Sequence, residues 1–213
     1  MSKNIFSWNK FYRVPIIGII RGLSPDEVKN ILPLYLEAGL NTIEITMNTK
    51  EAAAIIGFIR DKYPMLNTGA GTVCTKKDLA TAIDAGAQFI VTPVTDKKII
   101  KSCVKNKIPV FAGAFTPTEI SQAWSMGASM VKVYPAKVLG AAYIKDVKAP
   151  LDQVKLLPTG GIGIDDIRPY RQAGADGFGI GSTLFNKKFI EEKNWNGLVE
   201  HFKEFVEKVQ ENL

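Results

Sequence analysis

Histidine is almost missing from this chain: His201, near the C-terminus, is the single one among 213 residues. That scarcity excludes a metal centre built on several histidines. Any Ser-His-Asp or Cys-His arrangement would have to recruit its base from a terminal amphipathic segment. Acid–base chemistry therefore falls to carboxylates, lysines or tyrosines. Cysteine is scarce as well. Cys74 and Cys103 cannot form a disulfide framework; they suit a reducing compartment and are expected to be buried thiols. No run approaches the roughly 18 apolar residues of a membrane span. The opening segment MSKNIFSWNKFYR lacks the apolar stretch of a secretory signal. A cytoplasmic location without membrane contact is the expectation. Blocks of Lys/Arg interleaved with aromatics are absent too, so nucleic acid is not an expected partner.

What is present is an ordinary globular mixture, 46% hydrophobic and 23% charged, unlike a disordered or fibrous chain. No linker or low-complexity stretch interrupts it, so residues 1–213 read as one domain, large enough to bury a core without staples. There are 27 Lys/Arg against 21 Asp/Glu, a formal charge of +6. So mild an excess reads as a solvated basic surface or as a site that attracts small anions.

Short β-branched runs alternate with helical patterns along the whole chain. Strands are expected over 15–20, 42–46, 66–69, 88–92, 109–112, 129–133, 154–158 and 177–180. Their starts lie about 20–27 residues apart, the spacing of strand–helix units with short loops. Ser24, Pro25 and Glu27 form a capping-box signature at the head of the first such helix. Thr75 and Thr116 or Thr118 are placed to start later helices. The joints EAGL, DAGA, SMGA and QAGA put Gly39, Gly86, Gly127 and Gly174 where helices end and a positive φ is needed. Eight such units imply a (β/α)8 TIM barrel, with an N-terminal helix before it and a charged, amphipathic capping helix over 186–213. The competing doubly wound sheet would prefer a glycine fingerprint after the first strand, and Arg21-Gly22-Leu23-Ser24 is not one.

Two strands carry charge where apolar residues belong. In Thr42-Ile43-Glu44-Ile45-Thr46 the isoleucines share one face and Glu44 the other; in Met130-Val131-Lys132-Val133-Tyr134 the valines oppose Lys132. With the β-branched residues under the helices, Glu44 and Lys132 point into the barrel near its C-terminal mouth, where barrel chemistry is found. The plain alternatives are a buried ion pair, or an edge position for Lys132. A partly desolvated lysine, however, has the lowered pKa that frees its amine for a Schiff base.

Glycines form a second constellation. Thr159-Gly160-Gly161 follows the seventh strand, and Gly179-Ile180-Gly181-Ser182 follows the eighth. Loops at these places commonly hold phosphate, because glycines let backbone N–H groups approach an anion. As isolated features they would simply be tight turns. Thr72, after Gly69-Ala70-Gly71, is either a carboxylate donor or a turn residue. Arg21, ending the first strand, is either a clamp for a carboxylate or phosphate or a surface ion pair. Trp8, Tyr12, Trp124 and Trp195 read as packing residues.

The motifs EITMNT, GAGTV, GAQFIVTP, VKVYPA, LPTGGI and GIGS, in this order and spacing, resemble the family of 2-keto-3-deoxy-6-phosphogluconate (KDPG) and 4-hydroxy-2-oxoglutarate (KHG) aldolases. The resemblance runs from about Val14 to Leu184. It implies a class I aldolase on a (β/α)8 barrel, usually a homotrimer, with no metal and no cofactor. The substrate would be a keto acid phosphate cleaved to pyruvate and glyceraldehyde 3-phosphate. It also implies that Lys132 is the Schiff-base lysine and Glu44 the general acid/base. Thr72 would lie near the pyruvate carboxylate, Pro93 and Tyr134 in the pocket wall, and Gly160, Gly161 and Ser182 at the phosphate. The chain departs from well-known members at Asn48, where they carry a carboxylate-binding arginine; other members instead carry an arginine at the position of Arg21. Asn48 and Arg21-Gly22 resemble a phosphogalactonate branch, whereas Thr159 resembles the phosphogluconate branch. Lys137 stands where many members have glutamate. A non-catalytic barrel that binds phosphorylated metabolites is the alternative of another class.

Overall fold

A computed structural model describes residues 5–213. Residues 1–4, the head of the expected domain and of the segment read for a secretory signal, lie outside the described residues. Eight strands follow in order: β1 (Ile16–Ile20), β2 (Thr42–Thr46), β3 (Asn67–Gly71), β4 (Ile90–Val91), β5 (Val110–Ala114), β6 (Met130–Val133), β7 (Leu156–Pro158) and β8 (Phe178–Ile180). All neighbours pair in parallel, in the order β7-β6-β5-β4-β3-β2-β1-β8. A single bridge, Thr159↔Gly179, joins the two ends and completes a nearly closed (β/α)8 barrel.

Before the barrel comes α1 (Trp8–Arg13). The outer ring is α2 (Pro25–Glu37), α3 (Ala52–Lys62), α4 (Lys76–Asp84), α5 (Lys97–Lys105), α6 (Pro117–Ser125), α7 (Gly140–Lys148), α8 (Ile167–Gln172) and α10 (Trp195–Gln210), with a short α9 (Lys187–Glu191) leading into α10. The C-terminal helix takes the eighth place in the ring, packed against α2, α8 and α9. Its apolar stripe, Leu198, Phe202, Phe205 and Val209, faces that groove because the spacing keeps these residues on one side.

Local signals set the helix ends. Ser24, Thr75 and Thr116 each cap through a reciprocal box with Glu27, Asp78 and Glu119. Each cap satisfies helix-end N–H groups and contributes about 1 kcal/mol. Gly39, Gly86, Gly127 and Gly174 all take φ between +91° and +98°, a conformation that any β-carbon would strain.

Two apolar layers separate at the sheet. Ile43, Ile45, Val131 and Val133 pack under the helices with Tyr35, Ile55 and Ile144. Ile17, Phe89, Val91, Phe111, Met130 and Leu157 fill the barrel, and Phe6 and Phe11 of the N-terminal segment close it. Truncating a ring such as Phe111 to alanine costs about 3–5 kcal/mol. Asn67 locks this plug: its side chain accepts from the Ser7 N–H at 2.9 Å and donates to the Ser7 carbonyl at 2.9 Å.

Strand bounds differ from expectation by one or two residues at most strands: β7 keeps only Leu156–Pro158 of 154–158, β5 runs on to Ala114, and the largest differences in outcome are at β4 and β3. β4 has two residues instead of the five over 88–92. The Gln88 side chain takes the Thr68 N–H at 2.7 Å at one end, and at the other the Thr92 hydroxyl donates to Val94 O at 2.7 Å and turns the chain away. β3 continues to Gly71, which pairs with Thr46 and accepts from the Met47 N–H at 2.8 Å. Cys103 is buried, as expected, but Cys74 is exposed. It sits in the turn between β3 and α4, where its N–H donates to Asp78. Trp8, Trp124 and Trp195 pack against the core, whereas Tyr12 remains 39% exposed and stacks on Trp8.

Candidate active site

The interior gives out at the C-terminal ends of the strands, and there Lys132 and Glu44 lie. Lys132 is 4% exposed and Glu44 1%. Lys132 sits beside Gly113 of β5 and Leu157 of β7 in the register. Glu44 is one residue of alternation above Thr42 on β2, and its Oε2 has no hydrogen-bond partner. Burial is the largest influence on both groups. It raises the Glu44 carboxyl above its ordinary value, and it lowers the Lys132 ammonium below its own. Each opposes the other's shift through its charge, without reversing it. The positive charge of Arg21 presses on both, lowering Lys132 further and lowering Glu44. The result is a lysine that gives up its proton more readily than a surface lysine, next to a carboxyl that holds its proton more tightly than a surface carboxyl.

Lys132 lines a cavity of about 480 Å³. Of the residues singled out in the sequence, its wall holds Lys132, Arg21, Tyr134, Thr159, Gly160, Gly161, Gly181 and Ser182. The Tyr134 ring centre is 5.1 Å from Lys132 Nζ. Gly160 and Gly161 have φ of +94° and +76°, and β-carbons there would press on Tyr134 and on the stem of Lys137. Glycine at both positions thus lets the turn pack closely on Tyr134 and Lys137 at the cavity wall. Lys137, for which the sequence offered no role, packs its stem over this turn.

The other singled-out residues, Glu44 among them, stand outside that wall; Glu44 is buried beneath it and coupled to Lys132 and Arg21 by charge. Thr72 adopts φ +54°, rare for a β-branched residue, and its hydroxyl accepts from Arg21 Nη2 at 3.4 Å. Pro93 backs the site from behind: its carbonyl sits against Gly113, which is possible only because Gly113 has no side chain. Asn48 is exposed in the turn after β2 and does not reach the cavity.

Several residues of this region went unnoticed in the sequence. Thr49, the next residue after Asn48, is buried; its hydroxyl accepts from the Gly22 N–H at 3.0 Å and lies 3.0 Å from the Thr46 hydroxyl. This bond ties the turn that follows Arg21 to the end of β2. Thr183, Phe185, Lys187, Ile190 and Glu191 complete the cavity on the β8 side. Thr183 directly follows Ser182, which was a usable signal; the α9 residues carry no pattern of their own. Cys74 lies close enough for its charge to act on Lys132.

Among the described residues no three His, Cys, Asp or Glu side chains gather closely enough to hold a metal ion. No described helix is long and apolar enough to cross a membrane.

Known proteins resemble this chain over most of its length. The model of the KDPG and KHG aldolase family matches residues 8–201. The 2-dehydro-3-deoxy-phosphogluconate aldolase of Haemophilus influenzae is 34% identical over 198 residues, 91% of each chain. The 2-dehydro-3-deoxy-6-phosphogalactonate aldolase of Escherichia coli is 32% identical over 175 residues, 81% of this chain and 85% of that one. A native KDPGal structure superposes with a TM-score of 0.86 at 30% identity, covering 93% of this chain and 96% of that one. The chain belongs to the KDPG and KHG aldolase family of lyases.

Proposed function

We propose that this protein is a class I aldolase that cleaves 2-keto-3-deoxy-6-phosphogluconate to pyruvate and glyceraldehyde 3-phosphate. The observation that carries the reading is Lys132, buried and with its pKa lowered, lining one cavity with the two glycine turns. An uncharged amine attacks the C2 carbonyl; the carbinolamine then loses water to give an iminium. The iminium withdraws electrons from the C3–C4 bond. Loss of the C4 hydroxyl proton breaks that bond, releasing the aldehyde and leaving an enamine. Protonation at C3 and hydrolysis free pyruvate and return the lysine. Glu44, directly or through water, moves the protons. Its raised pKa suits a group that must both give and take them.

Arg21 and Thr72 hold the pyruvate carboxylate in this reading, in place of the arginine that Asn48 replaces. The turns Thr159-Gly160-Gly161 and Gly181-Ser182 hold the phosphate, with Tyr134 in the wall and Pro93 behind Gly113. A homotrimer in a cytoplasmic setting belongs to the same proposal.

A second reading has one observation in its favour. Asn48 and Arg21-Gly22 resemble the phosphogalactonate branch, and of these Arg21 is in the cavity wall and bonded to Thr72, while Asn48 stands outside. Turnover of the two C4-epimeric phosphorylated substrates, side by side, decides between them. Preference for the gluconate epimer is expected; preference for the galactonate epimer replaces it with the second reading. Absence of pyruvate release from either, and from 4-hydroxy-2-oxoglutarate, would leave a binding barrel without catalysis.

A further inference from the structure

The two glycine turns lie on either side of a thinly paired seam of the barrel: β7 and β8 share the bridge Thr159↔Gly179, and lower down Asp176 and Leu156 exchange two hydrogen bonds of 2.9 Å. β2 and β3, by contrast, align five residue pairs. A phosphate held by both turns needs their spacing fixed to about 0.5 Å, and at the level of the turns the sheet itself supplies one bridge. Thr183 supplies what the sheet does not. Its hydroxyl donates to the carbonyl of Ile162, the residue next to Gly161, so that the turn after β8 is fastened to the turn after β7. Within the β8 turn, the Gly181 carbonyl accepts from the N–H groups of Leu184 and Phe185, both at 2.9 Å. Ser182 is thereby carried on a rigid loop.

The fastening continues outward. The Thr183 carbonyl lies 2.8 Å from His201 Nε2. A carbonyl only accepts, so Nε2 carries the proton. His201 belongs to α10, and its ring packs edge-on against Phe205 at 5.2 Å and Phe189 at 5.8 Å. Phe205 is 1% exposed, which anchors this end in the core. Gly161–Ile162, Thr183, His201 and α10 thus form one continuous brace across the open seam.

We propose that Thr183 is a positioning residue that sets the two anion-binding turns at their working spacing, with His201, the only histidine of the chain, as its anchor. The proposal rests on the phosphate reading given above. It assigns Thr183 no contact with the reacting atoms and predicts a defect confined to the phosphate end of the site.

The test compares Thr183→Val, Thr183→Ser and His201→Phe with the wild type. The readouts are KM for the phosphorylated substrate, inhibition by inorganic phosphate, and the dissociation constant of free pyruvate. Loss of one hydrogen bond of this kind corresponds to about a two- to tenfold effect. Thr183→Val is expected to raise KM and to weaken phosphate inhibition by that much while pyruvate binds as in the wild type. Thr183→Ser is expected to restore both. His201→Phe, which keeps the ring packing and removes the donor, is expected to repeat the pattern more weakly. Equal weakening of pyruvate and phosphate, or no change in either, overturns the proposal. If Thr183→Val fails to fold, His201→Phe decides alone: unaltered phosphate inhibition rejects the brace. In the condensation direction, wild-type enzyme with equal KM for glyceraldehyde and its 3-phosphate would remove the phosphate reading itself, and the brace with it.

Discussion

Glu44 occupies the space that Gly71 leaves empty. A β-carbon at Gly71 would overlap Oε1 of the glutamate, although the register neighbour of Glu44 is Gly69 and that of Gly71 is Thr46. The carboxylate therefore leans up the barrel towards its mouth. Below it, the room over Gly69 is taken by the Phe89 ring, 2.5 Å from where a β-carbon would stand. The two glycines of β3 thus divide the interior: the lower one admits apolar packing, the upper one an acid.

Gly71→Ala tests that division. The added methyl and the carboxylate cannot share the space, so Glu44 must move or β3 must shift, and overpacking of this kind typically costs about 1–3 kcal/mol. A lowered melting temperature together with a loss of turnover is expected, because the acid/base group is displaced. Wild-type turnover in Gly71→Ala would mean that the position of the Glu44 carboxylate is immaterial to the reaction.

Borohydride trapping tests the nucleophile. Pyruvate with borohydride is expected to add a covalent mass at Lys132, the buried lysine whose proton is easiest to remove. Mass spectrometry of the digested protein locates it. Labelling of another lysine with Lys132 untouched rejects the imine mechanism at this site. Activity is expected to survive a chelator.

Glu44→Gln keeps the shape and removes the proton acceptor. Turnover is expected to fall by about 10²–10⁴-fold, with the far-ultraviolet circular dichroism unchanged. The same variant has a pH signature in stability. The folded-state pKa of Glu44 is raised, so its contribution is full below the ordinary carboxyl value and is lost as pH rises through the raised one. The melting temperature of Glu44→Gln relative to wild type should therefore climb with pH across that window. A difference that is flat or falling with pH contradicts a raised Glu44 pKa.

Arg21 has two separable roles. Its charge lowers the Lys132 pKa, and its guanidinium fork bonds to Thr72. Arg21→Lys keeps the charge and loses the fork; weaker binding of free pyruvate and of the phosphorylated substrate is expected alike. Normal pyruvate affinity with a defect only for phosphorylated substrate would move Arg21 to the phosphate. Arg21→Gln also removes the charge. Lys132 then holds its proton to higher pH, and the acid limb of the kcat/KM profile is expected to shift upward. An unmoved limb would separate Arg21 from the lysine electrostatically.

The period-two alternation in TIEIT and MVKV, the Ser24–Glu27, Thr75–Asp78 and Thr116–Glu119 boxes, and the four helix-ending glycines were decided by the chain alone. Each is a local preference that acts within a few residues, so eight units and two inward charges are legible in one dimension. What the tertiary structure decided lies in contacts between turns distant in sequence. Thr49 reaches Gly22 and Thr183 reaches Ile162, pairings that no spacing rule announces because barrel closure brings them together. Asn48 stands outside the cavity while its neighbour Thr49 is buried, because the chain turns between them. Cys74 is exposed because Thr72, held at positive φ, redirects the chain at the rim. The lowered pKa of Lys132 is tertiary too: a lysine on a strand has an ordinary value until the barrel closes around it and water is excluded.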